Sequence, residues 1–214
     1  MKKQQTGFTL IELAIVLVII GLLLGGVLKG QELINSAKVK NMASEIKNVQ
    51  IYVYSYQDKF KAIPGDDRAA STHLATTGVT ITNGDGDGEI DGAWDATSGE
   101  SFTFWQHVRL AGLASGSTDT AATTYLPTNN EGGKVGVQSK PQNTITGLTG
   151  SFAVCTGGIV GKIAKQLDAQ LDDGATDKGS VMVAETVTGT AGAAPVATTV
   201  ANFDSTKYVV CVAF

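Results

Sequence analysis

The apolar residues of this chain fall into three successive patterns. From Phe8 to Leu28 every position is apolar, Gly or Thr except Glu12. A helix of ~21 residues is roughly 31 Å long, the thickness of a bilayer core, so this stretch is long enough to span a membrane. Past Lys29 the run becomes periodic: Val39, Met42, Ile46, Val49, Val53, Tyr56 and Phe60 recur at spacings of three and four, with Asn41, Ser44, Glu45, Lys47 and Asn48 off that stripe. That is the signature of a helix with one buried face. It stops at Pro64-Gly65, where Pro restricts the residue before it and removes a backbone donor. The two patterns together predict one helix over 8–61, roughly 80 Å long. Its first half must meet lipid or other chains, and its second half offers a stripe to a sheet. A coiled-coil dimer is the alternative use of the stripe, but it calls for more heptads and regular flanking charge pairs.

The third pattern is short and broken. Phe102, Trp105, Leu110 and Leu113 mark a short amphipathic helix, and Ile159, Ile163, Leu167 and Leu171 mark another that ends at Gly174. Four β-rich runs, 134–137, 151–155, 181–183 and 208–214, are separated by Gly, Asn and Asp and predict an antiparallel sheet. The Thr-, Ala- and Gly-rich segments 115–124 and 186–201 read as loops or an exposed hairpin. The expected class is α+β, a long N-terminal helical spine with a C-terminal head that contains an antiparallel sheet. About 150 residues lie beyond the spine, enough for one core and too few for two.

Glu12 changes the meaning of the apolar run. A carboxylate in a membrane helix costs at least ~2.5 kcal/mol, so it is expected to have a function and a partner. A secretory signal would explain Lys2 and Lys3 as its basic region. Its apolar core would then be too long and would carry an acid, and no small-x-small cleavage site follows.

The stretch Gly7-Phe8-Thr9-Leu10-Ile11-Glu12-Leu13, behind its short basic leader, resembles the type IV pilin and pseudopilin superfamily. The resemblance implies a leader over 1–7, a spine over 8–61 with 8–28 as the transmembrane and assembly segment, and a head over 62–214. It further implies cleavage between Gly7 and Phe8 by a prepilin peptidase, N-methylation of Phe8, and passage from a single-pass inner-membrane protein to an extracellular pilus or a periplasmic pseudopilus. Partners would be copies of the chain and other pilins in a helical filament, and an inner-membrane assembly platform. Glu12 would meet the amino group of Phe8 on a neighbouring subunit, since each is otherwise an unpaired charge in hydrocarbon. Where many fibre-forming pilins carry a Pro, this chain has Lys29, and Gly21, Gly25 and Gly26 are the helix-weakening positions instead. Pro64-Gly65-Asp66-Asp67, the segment 100–113 and the segment 166–179 resemble one branch of the prepilin-like proteins.

Cys155 and Cys211 are the two cysteines. In a domain sent across the membrane, an even pair reads as one disulfide, and the pilin resemblance favours it; two buried thiols are the alternative. The bridge would close a loop of about 57 residues and contribute roughly 4 kcal/mol. Net charge is −4, and nothing in it points to nucleic acid.

Asn83-Gly84-Asp85-Gly86-Asp87-Gly88-Glu89-Ile90-Asp91 reproduces the first places of an EF-hand-type calcium loop. Asn83, Asp85, Asp87 and Asp91 are candidate side-chain ligands and Glu89 a candidate backbone-carbonyl ligand for Ca2+, with Ile90 as the anchor. The twelfth place holds Trp94 where a bidentate Glu is expected. A plain Gly-Asp surface turn is the alternative. His73 and His107 have no metal-ligand spacing and no nucleophile elbow accompanies them, so the sequence gives no positive sign of an enzyme. The reading is a structural subunit of a type IV pilus-like filament. A type II secretion pseudopilin and a monomeric membrane-tethered calcium-binding module are the alternatives.

Overall fold

The computed structural model describes residues 9–185 and 192–214. The chain divides into two units, Met1–Lys38 and Val39–Phe214. Helix α1 (Leu10–Phe60) is 51 residues long and contributes to both. It opens on a capping box: the Thr9 amide donates to Glu12 Oε2 at 2.9 Å, and the Glu12 amide donates to Thr9 Oγ1 at 3.3 Å. It ends where Lys61 turns into the left-handed region at φ 56, three residues before Pro64. The predicted stripe is the buried one: Val39, Met42, Ile46, Val49, Val53 and Tyr56 all lie in the interior, and Phe60 is half-buried at its end.

Beyond α1 come the single-turn helix α2 (Ala70–His73), α3 (Glu100–Leu110), β1 (Val135–Ser139), β2 (Phe152–Val160), α4 (Gly161–Leu171), β3 (Val181–Ala184) and β4 (Lys207–Ala213). The strands form one antiparallel sheet in the order β1-β2-β4-β3. The strands begin within one residue of the predicted runs, and β1 runs two residues further, to Ser139, while β2 continues five further, to Val160. Ile159 therefore belongs to a strand, paired with Tyr208, and does not open the following helix. The register shift between Thr156 and Ile159, at Gly157-Gly158 with Gly158 at φ 73, lets β2 resume pairing before α4 begins.

Alternation along the strands gives the sheet two buried faces. Val135, Val137, Phe152, Val154, Val181, Val183, Val210 and Val212 share a cluster with Val39, Met42, Ile46, Val49 and Val53 of the α1 stripe and with Phe104, Ile163 and Leu167, whereas Tyr56 and Phe60 pack with Ala70 and Leu74. The β-branched residues fill the space against the helices. The opposite face carries small side chains, Ala153, Cys155, Ala184, Cys211 and Ala213, and Trp94, Ile145 and Leu148 cover it. At Gly136 the Trp94 carbonyl lies where a Cβ would stand, so only glycine lets that cover close.

Candidate functional site

Three features carry the candidate chemistry: the apolar run with its acid, the aspartate loop, and the crosslinked sheet. In the N-terminal unit the most apolar 18-residue stretch of α1 is wholly unburied. Leu10, Leu17, Leu22 and Leu28 each expose more than half of their surface. Such a surface is stable only against lipid or other protein. Glu12 stands within it, and its Oε2 also accepts from the Thr9 hydroxyl at 2.7 Å. The carboxylate is thus held at the start of the helix. The expected cleavage between Gly7 and Phe8, and the Phe8 amine itself, lie outside the described residues.

In the head, the aspartate loop is organised by a residue outside the motif. Asp66 is 4% exposed. Its Oδ1 accepts the Gly86 and Asp87 amides at 2.6 and 3.1 Å, and its Oδ2 accepts the Gly88 amide at 2.9 Å. Asp66, Asp85 and Asp87 bring one carboxylate oxygen each within 4.8 Å of one another. Burial raises the Asp66 carboxyl above the usual range, the three amides oppose this, and the nearby Asp87 adds to it. Glu100 clasps the loop from α3, accepting the Asp85 and Asp91 amides at 3.0 Å each. Burial raises its carboxyl too, with Asp66 and Asp85 contributing.

The Glu89 and Asp91 carboxylates are not part of that group of three. Asn83 Oδ1 accepts the Ser71 amide at 2.8 Å. The Glu89 carboxylate pairs with Lys140. Ile90 is the buried anchor expected of it, exchanging hydrogen bonds with Ser139. Asp66 and Glu100 reach the loop from outside the motif, and a separation of many residues carries no spacing signal for such contacts. The run Pro64-Gly65-Asp66-Asp67 was the available hint. The donor set is all oxygen and mostly anionic, which suits a hard cation such as Ca2+.

Asp67, next in sequence, faces the other way. It is buried and accepts from the Tyr56 hydroxyl at 2.7 Å, pairs with His73 Nδ1 at 2.7 Å, and accepts the Ala69 amide at 2.9 Å. Burial opposes its ionisation, but these hydrogen bonds prevail and hold its carboxyl below the usual range. His107 is fully buried, taking the Gly65 amide on Nδ1 at 2.9 Å and giving Nε2–H to the Thr82 carbonyl at 2.8 Å. Burial lowers its pKa and keeps it neutral. Both histidines thus serve to fasten the turn after α1.

The cysteines form a disulfide between residues directly opposite in the β2–β4 pairing. Beyond α4, Asp172 Oδ2 accepts the Ser180 and Val181 amides and Asp173 Oδ1 accepts the Ala175 amide, so both close their own turn and stand apart from the aspartate loop.

A search among curated proteins and a search among solved structures returned no significant match. A family profile does match at the N-terminus. Residues 2–28 fit the prokaryotic N-terminal methylation motif, the signature of type IV pilins and pseudopilins, and the long apolar helix with an antiparallel sheet behind it has a pilin-like layout.

Proposed function

We propose that this chain is a structural subunit of a type IV pilus-like filament. The observation that carries the reading is the apolar first half of α1, wholly unburied and bearing Glu12 inside the methylation motif. Processing between Gly7 and Phe8 would expose a methylated amine on Phe8, and Glu12 of a neighbouring copy would pair with it in the apolar core of the filament. The Thr9–Glu12 cap supports this role, because it keeps the carboxylate satisfied while the subunit waits in the bilayer. Partners on this reading are other copies and related pilins, the prepilin peptidase and an inner-membrane assembly platform. Intact mass and N-terminal sequencing of sheared filaments test it. A chain beginning at methylated Phe8 and enriched in filaments is expected, and Glu12→Ala is expected to abolish assembly while leaving the protein in the membrane. A chain that still begins at Met1, or that works unaltered as Glu12→Ala, overturns the reading.

The clustering of Asp66, Asp85 and Asp87 favours a second component, a Ca2+ ion that stabilises the head. These three carboxylates would hold the ion and the ion would offset their mutual repulsion. Extracellular sites of this kind bind at ~0.1–1 mM. At ten times Kd the linkage adds about 1.4 kcal/mol. Thermal unfolding in CaCl2 against a chelator should show that gain for the native chain and none for Asp87→Asn. Equal melting in both would remove calcium from the account.

A further inference from the structure

Between α1 and α3 lies a cleft of about 410 Å³. Glu45, Asn48 and Tyr52 form one wall, and Trp105 and Arg109 of α3 stand on the other. One charged group here is left without a partner among the described residues. Glu45 is half-buried and has no hydrogen-bond or ion-pair partner among the described residues. Burial alone raises its carboxyl above the usual range. Arg109 does not supply the missing charge. Its guanidinium donates to the Ser115, Ser117 and Tyr125 carbonyls and packs against the Trp105 and Tyr125 rings.

A half-buried carboxylate without a counter-ion is partly desolvated, and a cation entering the cleft offsets that cost. The cleft is too polar to call for an apolar occupant. It suits a compact cation on a long apolar stem, which can lie along aromatic walls while the charge reaches the acid. The chain carries such groups on its own surface: Lys162 and Lys165 project from the exposed side of α4 and have no partner among the described residues.

We propose that this cleft receives a lysine of a second copy of the chain, whose ammonium group pairs with Glu45. The inference rests on the filament reading, which brings copies together, and it names a contact in the head that is separate from Glu12.

The test compares sheared filaments with the detergent-solubilised full-length subunit, both treated with a water-soluble carbodiimide in the presence of glycine ethyl ester. The reagent joins a carboxylate to an amine in contact with it. Filaments should yield a covalent dimer in which the Glu45 peptide is linked to a lysine peptide of this same chain, and Glu45→Gln filaments should not. The solubilised subunit should instead take the small amine at Glu45. If filaments form but Glu45 takes the small amine as readily as in the free subunit, or links to a different protein, the inference fails and the filament reading stands. If the chain is absent from filaments, both fail.

Discussion

The Tyr56 hydroxyl donates to Asp67 Oδ2 at 2.7 Å, joining the last buried turn of the spine helix to the loop that follows it. A hydrogen bond to a buried charge is worth about 1.5–3 kcal/mol. Tyr56→Phe keeps the ring and its stacking on His107 but removes the donor. The expected loss is about 2 kcal/mol, read as a fall of roughly 4–8 °C in the melting temperature of the detergent-solubilised chain. Asp67→Asn should cost as much or more and should also remove the acid sensitivity this carboxyl imposes. With its folded pKa lowered, Asp67 contributes stability above the ordinary carboxylate range and loses it as pH falls through the folded value.

His107 sets a second acid limit. Its folded pKa lies below the ordinary value of 6.5, so the folded state takes up its proton less readily than the unfolded chain. The contribution is complete above that ordinary value and is lost as pH falls below it. Protonation at Nδ1 would also displace the Gly65 amide. Melting temperature should decline from about pH 6.5 downward, and His107→Gln should flatten that part of the profile at the cost of a lower plateau. An unchanged slope in the variant would assign the decline to other groups.

Asp168 acts with the opposite sign. It is fully buried near the end of α4, with Oδ1 accepting the Gly174 amide at 2.6 Å and Oδ2 without a partner among the described residues. Burial first, then Asp172 and Asp173, push its carboxyl up to about 6. Its stabilising share is present below the unfolded pKa and disappears as pH rises through 6, a cost on the order of 3 kcal/mol at neutral pH. Asp168→Asn should therefore be more stable than the native chain at pH 7.5 and show no advantage near pH 4. Equal stability at both would mean that the carboxylate is satisfied by water.

The disulfide closes a long loop between two strands already in register. Replacing both residues, Cys155→Ala with Cys211→Ala, should cost about 2–5 kcal/mol. Because both cysteines are fully buried, the bond should resist reductant in the folded chain and yield once the head unfolds. Thiol labelling with and without denaturant distinguishes the two states.

Gly136→Ala tests the cover on the small-residue face. Its methyl group would overlap the Trp94 carbonyl, and either the loop or β1 must move. Overpacking of this kind costs about 1–3 kcal/mol or more. Trp94 fluorescence should report the displacement even where the fold survives.

Much of this architecture was legible because periodicity is a local signal. The α1 stripe, α3 and the four strands each follow from the residues within them. The exceptions have a common cause. Ile159 keeps helical spacing with Ile163 and Leu167 yet pairs with Tyr208, because two glycines before it allow a bulge that extends the strand. The aspartate loop was recognisable by its alternating acids, whereas Asp66 and Glu100 reach it from distant elements and Asn83 turns to Ser71. The Glu45 cleft had no sequence signal, since its polar lining reads as the solvated side of a helix.

The strand order has a consequence for how the head comes into being. β4 enters between β2 and β3, so the middle of the sheet is supplied by residues 207–213. Until these residues arrive, β3 lacks its partner and β2 has one unpaired side. A chain cut short before Lys207 would not lose an edge; it would be left with two fragments of sheet. Folding is therefore tied to distant pairing and is expected to be slow and late, completed only once residues 207–213 are available. Until that point the first half of α1, long and apolar enough to anchor the chain in a bilayer, would keep the unfinished head tethered and limit how freely its unpaired strand edges meet other chains.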